Sequence, residues 1–213
     1  MTPFDSWLEK SPLIAILRGV RPHEVCEIAA AIIDAGILII EVPLNSPEPF
    51  DSIRRAASAF GSRALVGAGT VLRPEDAVAV HAAGGGLVVT PHADAAVVAR
   101  TRELGMIAVP GFFSPTEAFH MIGLGAAGLK LFPAEAASPR VLRSLRAVLP
   151  RTTPVLPVGG IDAASIDGWL EAGADGFGIG SALYKPGLDS KEVAERARAL
   201  VAALAAARGH PRD

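Results

Sequence analysis

Cysteine occurs once in this 213-residue chain, at Cys26. A single thiol cannot close an intrachain disulfide, so packing must hold the fold together. Formal net charge is only −2, which gives no electrostatic reason to expect a nucleic acid or an acidic membrane surface as partner. No apolar run approaches the roughly 18 residues of a spanning helix. The opening "MTPFDSWLEKSP" carries acids and lacks the basic-then-apolar layout of a secretory signal. These absences lead to the expectation of a soluble cytoplasmic protein without membrane contact. The five histidines are scattered, and none forms H-x-H or H-E-x-x-H, so no metal site is expected. "GAGT" lacks the lysine of a phosphate-binding P-loop, and no G-x-G-x-x-G opens a helix after the first apolar run. Nucleotide binding is therefore unsupported.

Half the residues are apolar and only 5% are aromatic, with Ala, Val, Leu, Ile and Gly dominant. That mixture suits parallel strands buried on both faces and helices packed through small residues. Short apolar runs recur eight times: at 13–17, 37–42, 64–69, 86–91, 106–111, 128–133, 153–160 and 175–180. Their starts lie 20 to 27 residues apart, the length of one strand, one helix and two loops. Helix starts are marked by "SPEP", "RPED" and "SPTE", and helix ends by glycines such as those of "DAGI" and "EAGA". Eight strands alternating with helices predict a single-domain α/β protein over 1–213, a closed (β/α)₈ TIM barrel. An open doubly wound sheet would use fewer strands at this length. A helix around Phe4, Trp7 and Leu8 should cover the bottom of the barrel. The last helix, 190–207, should bury Val193, Ala197, Leu200, Val201 and Leu204, and the closing "GHPRD" should fray.

Lysine is scarce, four against sixteen arginines, yet one of the four, Lys130, interrupts the apolar strand "GLKLFP". Glu41 does the same in "ILIIEV". Alternation puts Ile40, Val42, Leu129 and Leu131 on the opposite faces, so both charged groups should point into the barrel. An amine in a dry interior loses solvation of its charged form and becomes nucleophilic near neutral pH. It can then attack a ketone to form an imine, with the carboxylate carrying protons. A structural Lys–Glu pair would produce the same pattern. So would the base of a non-covalent phosphosugar isomerase, or a non-catalytic phosphometabolite-binding barrel. Two glycine-rich turns, "PVGGID" and "FGIGSAL", end the seventh and eighth runs, where this fold usually binds phosphate. Backbone amides there, each turn followed by a helix N-terminus, would form an anion cradle, and Ser181 adds a hydroxyl.

The segments "AILRG", "IEVPLNSP", "VGAGTVL", "VTPH", "LKLFPAE", "VGGI" and "GIGSALY" closely resemble the class I aldolases of 2-keto-3-deoxy-6-phosphosugar acids, in order, from about Pro12 to Tyr184. This resemblance implies that Lys130 is the Schiff-base lysine and Glu41 the general acid/base. It matches Arg18 and Thr70 to contacts with the keto acid, and Pro91 and Phe132 to the pocket lining. Gly159, Gly160, Gly180 and Ser181 match the phosphate site. It further implies a homotrimer with no metal or organic cofactor, acting on a small phosphorylated keto acid to yield pyruvate and glyceraldehyde 3-phosphate. Asn45 and Val158 stand where the 6-phosphogluconate branch has arginine and threonine, so the chain resembles the branch acting on the galactonate-derived C4 epimer. The gluconate epimer is the alternative substrate. Two features depart from the family pattern. Phe112 and Phe113 replace expected small residues and should narrow the pocket, and His92 stands at a variable position beside the site.

Overall fold

The structure is a computed structural model that describes residues 3–209; most of the predicted frayed tail, 210–213, lies outside it. Helix α1 (Pro3–Lys10) leads into β1 (Leu13–Ile16), after which strands and helices alternate: α2 (Val25–Asp34), β2 (Ile39–Pro43), α3 (Pro49–Phe60), β3 (Leu65–Gly69), α4 (Pro74–Ala82), β4 (Leu87–Val89) and α5 (Ala95–Glu103). The second half runs β5 (Ile107–Val109), β6 (Gly111–Phe112), α6 (Pro115–Gly123), β7 (Leu129–Leu131), α7 (Pro139–Arg146), β8 (Val155–Pro157), α8 (Ile166–Glu171), β9 (Phe177–Ile179) and α9 (Ser190–Gly209). All strand pairs are parallel.

Regular ladders form two sheets, one in the order β5-β4-β3-β2-β1-β9 and one in the order β6-β7-β8, where the sequence predicts one eight-stranded ring. The extra strand arises within the fifth predicted run, which Pro110 divides into β5 and β6. Proline has no N–H to give a ladder. Its carbonyl still accepts from Lys130 N–H at 2.9 Å. On the other side, β8 and β9 meet through one Val158–Gly178 bridge and an Asp175 N–H to Val155 carbonyl bond of 3.0 Å.

Helix boundaries follow local chemistry. Ser114 and Glu117 form a reciprocal capping box at α6, as "SPTE" predicts. Gly36 closes the end of α2 at φ +101°, a backbone state that costs L-residues with a side chain. Helix α9 buries Val193, Ala197, Leu200 and Leu204, with Val201 half-buried against the same core.

Two cores follow from strand alternation. Ile40, Val42, Leu129 and Leu131 belong to the large core between strands and helices. The opposite strand faces contribute Ile14, Ile39, Leu65, Leu87, Val109 and Leu156 to a smaller core shared with Phe4 and Leu8 of α1. Phe4 is fully buried and approaches so closely that a Cβ on Gly128 would lie 2.8 Å from its ring. Helix α1 thus plugs the strands' N-terminal ends. Phe4→Ala should cost about 3–5 kcal/mol in chemical denaturation, as large aromatic truncations in cores do. A loss below about 1 kcal/mol would show that the plug does not support the interior.

Candidate active site

The strand faces that hold the small core at one end hold charged groups further along. Glu41 follows Ile39 on that face of β2 and is 2% exposed. Its room comes from a neighbour: a Cβ on Gly69 of β3 would overlap the Glu41 carboxylate. Glu41 Oε2 is buried with no hydrogen-bond partner among the described residues. Lys130 lies on β7 at 5% exposure, in register with Gly111 and Leu156. Its Nζ stands 4.5 Å from the centre of the Phe132 ring, close enough for a cation–π contact.

Burial and charge act on both groups. Desolvation pushes the Glu41 pKa up to about 7, against the opposing pull of Lys130 and Arg18. Burial also lowers the Lys130 pKa, and Arg18 adds to that shift while Glu41 resists it. The structure therefore gathers Lys130, Glu41 and Arg18 into one electrostatic unit. An amine of reduced basicity beside a carboxyl that titrates near neutrality can perform nucleophilic addition and proton transfer.

Arg18 follows β1 and is exposed, but two bonds fix its loop. Its guanidinium donates to Asn45 Oδ1 at 2.7 Å, and the next amide, Gly19 N–H, donates to the buried Ser46 hydroxyl at 2.9 Å. Thr70 follows Gly69 with φ +56°. A β-branched residue in the left-handed region costs about 1–3 kcal/mol, and such strain clusters at functional sites. Pro91 and Phe132 are half-buried at the ends of β4 and β7. Thr90, fully buried, accepts from Gly111 N–H at 3.2 Å and donates to the His92 carbonyl, so it fixes the turn carrying Pro91.

Val158 is buried, and a Cβ on Gly178 would come within 2.7 Å of its Cγ2. Gly159 and Gly160 follow at φ +113° and +67° with the Glu135 side chain against both. Gly180 and Ser181 follow β9, and the Gly180 carbonyl accepts from Leu183 and Tyr184 N–H. Neither turn runs directly into a helix, contrary to the sequence reading. Asp162 takes the Ala164 and Ser165 N–H groups before α8 begins at Ile166. Helix α9 begins at Ser190, the start the sequence predicts, with Pro186 and Gly187 in a turn between. Phe112 is buried in the strand–helix core, so it does not narrow the site as expected, while Phe113 is exposed. His92 is exposed, with Nε2 3.7 Å from Asp94 Oδ2.

Sequence reasoning missed the supporting groups Gly69, Thr90, Asn45 as a partner of Arg18, and Ser46. Only Gly69 left a signal. "GAG" puts two glycines on one strand face, and a strand glycine often marks close approach by another group.

A family model described as "KDPG and KHG aldolase" matches residues 4–199. The 2-dehydro-3-deoxy-6-phosphogalactonate aldolase of Escherichia coli (strain K12) is 43% identical over 92% of this chain and 96% of its own length. The chain belongs to the KDPG and KHG aldolase family. A solved structure described as native KDPGal superposes with a TM-score of 0.93 at 42% identity, covering 94% of this chain and 98% of that one. KDPG aldolase from Legionella pneumophila, with pyruvate captured as a covalent carbinolamine, gives 0.84 at 25% identity over 93% and 98%. Among the structural neighbours of this family, the present fold is a TIM-barrel-like α/β protein.

The Glu41 shift also predicts a pH effect on stability. Between pH 4.5 and about 7 the folded protein holds a proton that the unfolded chain has released. Raising the pH through that window removes stability. Glu41→Gln abolishes this titration. Between about pH 5 and pH 8 it should gain on the order of 2–3 kcal/mol relative to wild type. Denaturation curves at both pH values, showing a constant difference, would contradict burial as the cause of the shift.

Proposed function

We propose that this protein is a class I aldolase cleaving 2-dehydro-3-deoxy-6-phospho-D-galactonate to pyruvate and D-glyceraldehyde 3-phosphate. The observation that carries this reading is the buried Lys130 amine, lowered in basicity and electrostatically coupled to the buried Glu41. Family membership and the covalent pyruvate adduct of the Legionella relative support it.

In the proposed cycle the free Lys130 amine adds to the C2 ketone, and loss of water gives a protonated imine. Glu41, directly or through a water, takes the C4 hydroxyl proton as the C3–C4 bond breaks. The electron pair moves into the imine to leave an enamine, and glyceraldehyde 3-phosphate departs. Glu41 then delivers a proton to C3, and water hydrolyses the imine to release pyruvate and restore the amine. Arg18 anchors the substrate carboxylate. Thr70 contacts the keto acid, and Pro91 and Phe132 line its pocket. Gly159, Gly160, Gly180 and Ser181 receive the phosphate.

We read the two sheets as one closed (β/α)₈ barrel and one domain. The hydrogen bonds across Pro110 and the Val158–Gly178 bridge support this reading. We also place the protein in the cytoplasm as a homotrimer. The exposed rings of Phe113 and Phe119 offer apolar surface suited to a subunit contact.

Substrate choice falls to contacts with the C4 hydroxyl, the one point where the two epimers differ. Val158 cannot hydrogen-bond there. Wild type should therefore prefer the galactonate-derived epimer, and Val158→Thr should move the kcat/KM ratio toward the gluconate-derived epimer by about 1–3 kcal/mol. Steady-state kinetics on both epimers test this. A wild type that favours the gluconate epimer would sink the substrate assignment.

A further inference from the structure

The chain's only tyrosine, Tyr184, is 2% exposed and takes no part in the proposed chemistry. A buried phenol needs a partner, and this one lies 160 positions away: the Tyr184 hydroxyl donates to Glu24 Oε1 at 3.0 Å. The same oxygen accepts from Arg21 N–H at 2.9 Å. Glu24 therefore joins two loops, the one after β1 that carries Arg18 and the one after β9 that carries Ser181. A second contact lies alongside, where a Cβ on Gly19 would come within 2.7 Å of Pro186.

The two loops are not equally held. The β1 loop is also tied to the β2 loop through Gly19–Ser46 and Arg18–Asn45. Residues 181–187 have one side-chain hydrogen bond to the rest of the protein among the described residues, that of Tyr184. The Tyr184 backbone N–H also closes the turn onto the Gly180 carbonyl at 3.0 Å. Movement of this ring would carry the turn with it.

We infer that Tyr184 and Glu24 are positioning residues that set the distance between the phosphate turn and the Arg18 anchor, so that the site measures substrate length. This rests on the proposed reading of Arg18 and Ser181 as the two ends of the substrate site. Misplacing one end by a fraction of an ångström weakens a ligand that must reach both ends, but not one that uses a single end.

The test compares two reactions in the same variants. One is cleavage of the six-carbon phosphorylated substrate. The other is exchange of the methyl protons of pyruvate, which has no phosphate. Tyr184→Phe should raise KM for the phosphorylated substrate about tenfold, the usual worth of a buried hydrogen bond to a charged acceptor, and leave pyruvate exchange within about twofold of wild type. Glu24→Ala should behave likewise. Glu24→Gln keeps an acceptor for both donors and should lie closer to wild type, which separates positioning from general destabilisation. Parallel losses in both reactions would make the pair a purely structural tie and overturn the inference. Ser181→Ala separates the two levels of the argument. If it raises KM while Tyr184→Phe does not, the inference alone fails. If Ser181→Ala leaves KM unchanged, the phosphate assignment fails and the inference with it.

Discussion

Everything in this site depends on placing two ionisable groups where water is scarce. Burial disfavours the ammonium of Lys130 and the carboxylate of Glu41, lowering one pKa and raising the other. Their mutual attraction opposes both shifts. Arg18 tips the balance by favouring the free amine and the ionised carboxylate together. An amine less basic than usual and a carboxyl less acidic than usual result from that three-way opposition.

The fold supplies the dryness. Helix α1 closes one end of the strand interior with Phe4 and Leu8, and aliphatic residues of six strands fill the layer above. The charged groups sit on the strands at the middle positions of β2 and β7. Small residues then make room: Gly69 for the Glu41 carboxylate and Gly178 for Val158. Beyond them the loops are held by specific hydrogen bonds. Thr90 fixes the turn with Pro91, and Ser46 and Asn45 fix the loop with Arg18. Substitutions at these supporting positions would alter the site without removing a reactive atom.

The α/β order was legible because strands buried on both faces leave uninterrupted apolar runs, and helices between them leave caps and glycines. Lys130 and Glu41 were legible for the complementary reason, as charges inside such runs stand out. The break at Pro110 was not anticipated, although proline's missing N–H is a local property; the apolar run simply continued across it. The start of α8 at Ile166 rather than directly after the glycine turn was missed because Asp162 takes the Ala164 and Ser165 amides ahead of it, a choice decided by side-chain geometry, whereas α9 begins at Ser190 as the sequence predicts. Contacts such as Arg18 with Asn45, or Tyr184 with Glu24, join residues 27 and 160 positions apart. No local pattern announces them, since either partner alone reads as an ordinary surface or core residue.

The central claim is that the buried amine of Lys130 forms the covalent intermediate. Borohydride added in the presence of pyruvate, followed by peptide mass mapping, tests it most directly, because reduction makes the imine permanent. The account predicts one pyruvate-derived adduct, on Lys130, whose burial lowers its basicity. An adduct confined to Lys10, Lys185 or Lys191, or no adduct at all, would contradict it.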